Sequence, residues 1–214
     1  MWSLDLARIQ AQLSPGETLP KTAIETGTAR GNGALALSRY FANVVTVELS
    51  PVLYEAAKVR LGDTGIWCLQ GNSVDRLPEV FRSLPTSEPI FLFLDAHWSG
   101  DDSVDWQNAR WKGYGIDTAH LGEPGTNPSA EEQCPLLDEL QTVVQHWPGP
   151  AWILIDDLKN IPTVGPGRKN HEFPGEDWSH LSREKILAIV KDRLVLKHEL
   201  RDPEQWLLKL SARE

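Results

Sequence analysis

The sequence predicts an α/β protein built on a doubly wound, seven-stranded, mostly parallel sheet that ends in an antiparallel C-terminal hairpin. Three observations carry this expectation. Short apolar runs alternate with helical segments along all 214 residues, as in a Rossmann-like chain of β-α units. The first five apolar runs are continuous, as expected of parallel strands covered on both faces. The last two alternate and are joined by a short Asp202-Pro203 turn, which makes them an antiparallel edge.

Strand one spans about 22–27 and leads through three glycines into a helix over 32–41. Strand two is 44–48, and Pro51 opens a helix over 51–61, where its missing N–H costs nothing. Strand three covers about 65–70, followed by Gly71-Asn72-Ser73 and a helix over 74–83. Strand four is 90–95. A helix over 131–146 precedes strand five at 152–156, and a helix over 182–191 precedes the hairpin strands 194–200 and 205–210. These elements fill residues 1–214 as one domain, with no repeat and no low-complexity tract. Two stretches exceed the usual two to six residues of a strand–helix connection. These are 98–130, with Trp98, Trp106, Trp111 and Tyr114 among several glycines, and 158–180, with Gly165-Pro166-Gly167 and Phe173-Pro174-Gly175. Both leave the carboxyl ends of strands, where open α/β sheets bind ligands, so they are expected to be lids or substrate walls. Packing of Trp98, Trp106, Trp111 and Trp178 against the scaffold is the competing role.

Bulk properties narrow the partners. The net charge is −9 and the isoelectric point about 5.2, which argues against a nucleic-acid or anionic-membrane surface, Arg168-Lys169 being a local basic patch only. Two cysteines, Cys68 and Cys134, are too few for a disulfide framework and lack metal spacing, so they are expected to be inert thiols in a reducing compartment. The first residues, Met1-Trp2-Ser3-Leu4-Asp5-Leu6, form neither a basic nor an apolar leader region, and no run is long enough to span a bilayer. A cytoplasmic protein is expected, acting on a small molecule and not on nucleic acid or membrane, with a homodimer through the long loops unsurprising.

The richest segment is Thr22-Ala23-Ile24-Glu25-Thr26-Gly27-Thr28-Ala29-Arg30-Gly31-Asn32-Gly33. It reads as strand, glycine turn and helix N-terminus, with glycines that permit positive φ and close backbone approach. Glu48 ends strand two, twenty-one residues beyond Gly27, where a carboxylate can grip a ribose. The spacing differs from the G-x-G-x-x-G of dinucleotide sites, and an acid at position 25 would repel a pyrophosphate while suiting a cationic amino group.

This pattern resembles motif I of class I S-adenosyl-L-methionine-dependent methyltransferases, E-x-G-T-x-x-G, and the resemblance covers essentially the whole chain. It implies an enzyme that binds the cofactor through Glu25, Thr26, Gly27, Thr28, Gly31, Asn32 and Gly33 under the methionine part. Glu48 and Leu49 would lie at the ribose, Asn72 and Ser73 at the adenine, and Asp95 in the pocket wall. Asn72 and Ser73 also suit a helix cap. A NAD-type Rossmann protein or a non-catalytic cofactor-binding module are the alternatives.

Strand four ends Asp95-Ala96-His97-Trp98 and strand five ends Asp156-Asp157. In a doubly wound sheet these ends converge, and clustered carboxylates repel unless they share protons or bind a cation. The arrangement is similar to that of metal-dependent O-methyltransferases of the catechol and macrolide-sugar type, with one residue inserted in the L-D-H-W motif and Ser99 replacing a lysine. It implies Asp95, Asp156 and Asp157 as ligands of Mg²⁺, Mn²⁺ or Ca²⁺, and His97 as a further ligand or as the general base. The metal-independent alternative makes Asp95 and His97 the acid–base apparatus. The expected reaction is methyl transfer to a hydroxyl of a sugar, polyketide or phenolic. His120, His171 and His180 lie in the long loops, His146 at a helix end and His198 in an edge strand. Glu131 and Glu132 suit a helix N-terminus.

Overall fold

In the computed structural model, which describes residues 4, 6–11, 17–98, 129–169, 176–201 and 204–213, seven strands form one sheet. They are β1 (Thr22–Thr26), β2 (Asn43–Glu48), β3 (Trp67–Gln70), β4 (Ile90–Leu94), β5 (Ala151–Ile155), β6 (Leu194–Arg201) and β7 (Glu204–Leu210). Their order is β3-β2-β1-β4-β5-β7-β6, parallel through β5, with β7 antiparallel to both β5 and β6. The sheet class and the terminal hairpin are those predicted. Because the chain runs outward from β1 to β3 and then returns to β4, a crevice opens above the carboxyl ends of β1 and β4.

The continuous apolar strands are explained by cover on both faces. One face carries α1 (Leu6–Gln10), α2 (Asn32–Leu37) and α3 (Pro51–Leu61); Ala23, Phe91, Phe93 and Leu154 point into that layer with Leu37, Ala57 and Leu61. The other carries α4 (Ser73–Arg82), α6 (Leu136–His146) and α7 (Arg183–Val190). There Ile24, Leu92, Ile153 and Ile155 meet Leu77, Leu140, Val143 and Ile186. Successive strand residues therefore enter opposite cores, as the period of two requires.

Three departures from the sequence expectations are physical. The helix expected over 131–146 is two helices, α5 (Ala130–Gln133) and α6, because Cys134 precedes Pro135 and is driven to extended backbone at φ −143°. The helix expected over 32–41 ends at Leu37. The short α1, with Leu6 and Ile9 buried, is an element that the sequence reading did not include. Pro51 does open α3, and Ser50 caps it by accepting from the Leu53 N–H.

At the amino ends of the central strands, Arg193 clasps three carbonyls. Its Nη1 donates to Trp147 O, its Nη2 to Gly149 O and Ser211 O, and its Nε to Ser211 O. The turn before β5 is thereby tied to the segment after β7. Among the described residues no helix is long and apolar enough to cross a membrane.

Candidate active site

The glycine turn is built by backbone economy. Gly27 sits at φ 85°, its N–H donating to Val47 O, and a Cβ there would lie 2.8 Å from Asp95 O. Only glycine lets β1 turn this close to the end of β4. Gly33 is needed for a different reason than a ligand: a Cβ would lie 1.5 Å from Glu25 Oε1. Glu25 is accordingly turned beneath the first turn of α2, 2% exposed, where its Oε2 accepts from the Thr46 hydroxyl at 2.6 Å. Burial pushes its carboxyl up to about 8, against the Thr46 hydrogen bond and helped by the charge of Glu48.

A cleft of about 300 Å³ opens above this turn. Of the residues expected at a cofactor, Gly27, Glu48, Leu49, Asn72, Ser73 and Asp95 line it. Glu25, Thr26, Thr28, Gly31, Asn32 and Gly33 do not, so the expectation that Glu25 faces a ligand's amino group is corrected. Buried partners for its carboxyl outcompete the cleft: it accepts from Thr46, while Thr28 and Thr46 share a hydroxyl–hydroxyl contact of 2.6 Å. Glu48 faces the cleft while its Oε2 accepts from the Ala29 N–H at 2.7 Å and its Oε1 from the Ser50 N–H at 2.8 Å. Burial pushes Glu48 up to about 7, against these two hydrogen bonds. Asn72 caps α4 through Oδ1, which accepts from the Val74 N–H, so its capping and lining roles coincide.

Sequence reasoning missed most of the far wall. Asp75, Glu131, Glu132 and Asp138 all line the cleft, beside Gln133 and Pro135. The signal was present in the Ser129–Glu132 capping box, in which each residue's side chain accepts from the other's backbone N–H, because it stops the loop at the cleft rim. With Glu48 and Asp95, the lining among the described residues holds six carboxylates and neither lysine nor arginine.

Beside the cleft, the ends of β4 and β5 bring acids together. Asp95, His97 and Asp157 each offer a ligand atom, and these atoms lie within 4.8 Å of one another. Asp156, expected in this group, is outside it: it is 8% exposed, and its Oδ1 accepts from the Asp157 N–H at 2.8 Å. Burial, then the charges of Asp156, Asp157, Glu25 and Glu139, holds the Asp95 carboxyl well above the usual carboxylate range. His97 Nδ1 lies 3.1 Å from the Asp95 carbonyl. A carbonyl only accepts, so Nδ1 carries the proton and Nε2 is left as an acceptor. Trp178, 3% exposed, presents its ring 5.4 Å from that of His97. Of the long-loop tryptophans, Trp178 therefore packs against the site, and Trp98 lines the cleft while its backbone N–H donates to Gln133 O. Trp106, Trp111, Tyr114, His120, His171 and the Phe173-Pro174-Gly175 stretch lie outside the described residues.

Two further observations mark this region. Among the described residues only Ala29 (φ 46°) and Asp157 (φ 54°) are non-glycines at positive φ; Ala29 lines the cleft and Asp157 the acid cluster. Such backbone concentrates where geometry serves a site. Beneath the cluster Glu139 is 1% exposed with neither oxygen hydrogen-bonded, and burial pushes it up to about 7 against the nearby hydroxyls of Ser73 and Thr26. Cys68 and Cys134 are free thiols; burial pushes Cys68 up to about 11 and Cys134 further, which fits inert roles.

No protein-family model and no curated protein matches the chain. Among solved structures, an S-adenosylmethionine-dependent methyltransferase from Anabaena variabilis ATCC 29413 superposes with a TM-score of 0.50 at 13% identity, covering 97% of this chain and 82% of that one. A geranyl diphosphate methyltransferase in complex with the cofactor gives 0.49 at 13% identity, covering 97% and 84%. A methyltransferase from Clostridium acetobutylicum ATCC 824 gives 0.49 at 13% identity, covering 92% and 86%. The likeness is one of fold: the chain has the seven-stranded Rossmann-like architecture of the class I methyltransferases.

Proposed function

We propose that this protein is an S-adenosylmethionine-dependent methyltransferase that methylates a hydroxyl of a small molecule such as a sugar, polyketide or phenolic. The observation that carries the reading is the cleft itself. It lies at the switch point of a methyltransferase-like sheet, has Glu48 at the end of β2 in its wall, and among the described residues is lined by six carboxylates and no lysine or arginine. A pyrophosphate would meet repulsion there, whereas a sulfonium and an amino group are attracted. That contrast favours the methyl donor over a nicotinamide dinucleotide.

The donor set of Asp95, His97 and Asp157, two carboxylates and an imidazole with ligand atoms within 4.8 Å of one another, fits a divalent cation. An ion held there would neutralise the acids and lower the pKa of an acceptor hydroxyl. The chain's own residues perform the remaining tasks. The turn at Gly27 and the carboxylate of Glu48 would hold the donor above the ends of β1 and β4. Trp178 and Trp98 wall the acceptor side against water. His97, with a proton on Nδ1, has one lone pair to give, on Nε2: it would go to an ion where one is held, and to the acceptor's proton where none is. The same tautomer favours a metal-independent variant in which His97 alone serves as base.

Thermal unfolding tests the cofactor. Adenosylmethionine at a hundredfold over its Kd stabilises by about 2.7 kcal/mol, which for a chain of this size raises Tm by roughly 5–10 °C. A shift with NAD⁺ and none with adenosylmethionine would overturn the reading.

A further inference from the structure

We infer that the loop following β5 forms an oxyanion-binding site, separate from the acid-lined cleft, that takes a phosphate-like or carboxylate group. That this group belongs to the methyl acceptor rests on the methyltransferase reading; the site itself does not.

A second cavity, of about 290 Å³, is lined by Lys159, Asn160, Thr163, Arg168 and Arg183, with apolar residues between them. Among the described residues its lining has three cations and no carboxylate, the reverse of the cleft, in a chain of net charge −9. Acids stand just outside the described lining: Asp157, 3.6 Å from Lys159 Nζ; Glu184, whose backbone N–H donates to Thr163 O; and Glu199, whose pKa is lowered first by Lys197 and in smaller part by Arg183.

The cations are placed by structure. Arg168 is exposed, but its backbone is clamped on both sides: its N–H donates to Asn160 O, and its carbonyl accepts from the Trp178 N–H at 2.9 Å. The next residue, Lys169, forms a β-bridge to Asp177 and an ion pair with it at 2.7 Å. Arg183 donates Nε to Ile161 O at 2.8 Å and Nη2 to Leu158 O at 2.9 Å, so its charge is fixed in the wall. Asn160, 3% exposed, has its Oδ1 buried with no hydrogen-bond partner. An arginine fork and a lysine suit the anionic oxygens of a phosphate or carboxylate. The Asn160 oxygen suits an accompanying O–H. The volume, near the lower limit of small-molecule pockets at about 300 Å³, leaves room for an organic group beside the anion. Through Lys159 and Asp157 the cavity adjoins the cluster of Asp95 and His97, which is the acceptor side of the proposed reaction.

Thermal unfolding of the whole protein at constant ionic strength tests this, with inorganic phosphate and acetate as probes. The variants are Arg168→Ala, Lys159→Ala and, as a charge-matched control on α3, Arg60→Ala. Phosphate or acetate is expected to raise Tm of the wild type and of Arg60→Ala in a saturable way. The apparent affinity should fall at least fivefold in both cavity variants. Two results would overturn the site: a rise shared equally by all four proteins, which is general exclusion of a kosmotrope, or no saturable rise in the wild type. Lys159 is half exposed, so its variant remains readable if Arg168→Ala fails to fold. Adenosylmethionine is titrated in parallel. Its failure to shift Tm while the phosphate pattern holds would remove the methyltransferase reading and leave the anion site standing.

Discussion

Glu25 and Glu48 are two acids of the same motif that fold to opposite purposes. Both stand out in the sequence, but spacing could not say which would face the cleft; the buried Thr46 hydroxyl and the bare Cα of Gly33 decided it. Glu48→Gln leaves one of the Ala29 and Ser50 N–H groups without its acceptor and removes the carboxylate from the ribose. Calorimetry should show adenosylmethionine binding at least tenfold weaker, about 1.4 kcal/mol; an unchanged Kd would exclude Glu48 from the cofactor. Gly33→Ala drives a methyl group into Glu25 and should cost about 1–3 kcal/mol in urea unfolding. If the clash is the cause, adding Glu25→Ala will recover part of that loss, and the two changes will not be additive.

At the scale of elements, the seven strands and their mostly parallel class were legible because each central strand feeds two cores and so reads as an unbroken apolar run. The walls of the cleft were not, since they come from residues remote in sequence and meet only when α5 docks. Cys134-Pro135 splits that region, and the short α5 depends on its cap. Ser129→Ala should therefore cost about 1 kcal/mol and loosen the rim that carries Glu131 and Glu132. Amide hydrogen exchange would detect this as faster exchange over 130–134 with α6 unchanged. Equal protection in the variant would show that packing, not the capping box, holds α5. The candidate ligand set shows the same limit. Asp95 and Asp157 were readable as strand-end acids, but the αL backbone of Asp157, which directs the Asp156 side chain onto its neighbour's N–H, leaves no mark in the sequence.

For the whole molecule, buried acids set the response to pH. Glu25 at about 8, and Glu48 and Glu139 at about 7, hold protons in the folded state that the unfolded chain, titrating near 4.5, has released by pH 6. Folding then binds protons, so stability is greatest near pH 5 and declines as pH rises to about 8, where the folded carboxyls also ionise. The urea midpoint of the ligand-free protein should follow that course, with a shallower slope in Glu139→Gln; a midpoint rising over this range would contradict it. Metal dependence is read separately. Turnover lost after EDTA and gel filtration, and restored by Mg²⁺ or Mn²⁺, supports the Asp95–His97–Asp157 ion, whereas undiminished turnover leaves His97 as the base. The Arg193 clasp carries one more implication, for the order in which the protein can become competent. Because β5 is sealed at one end by Ser211 and along its length by β7, the pair Asp156 and Asp157 gains a rigid support only after the final strand has been synthesised. A nascent chain halted before residue 204 would already possess the glycine turn and Glu48, yet have no firm floor for the acceptor side.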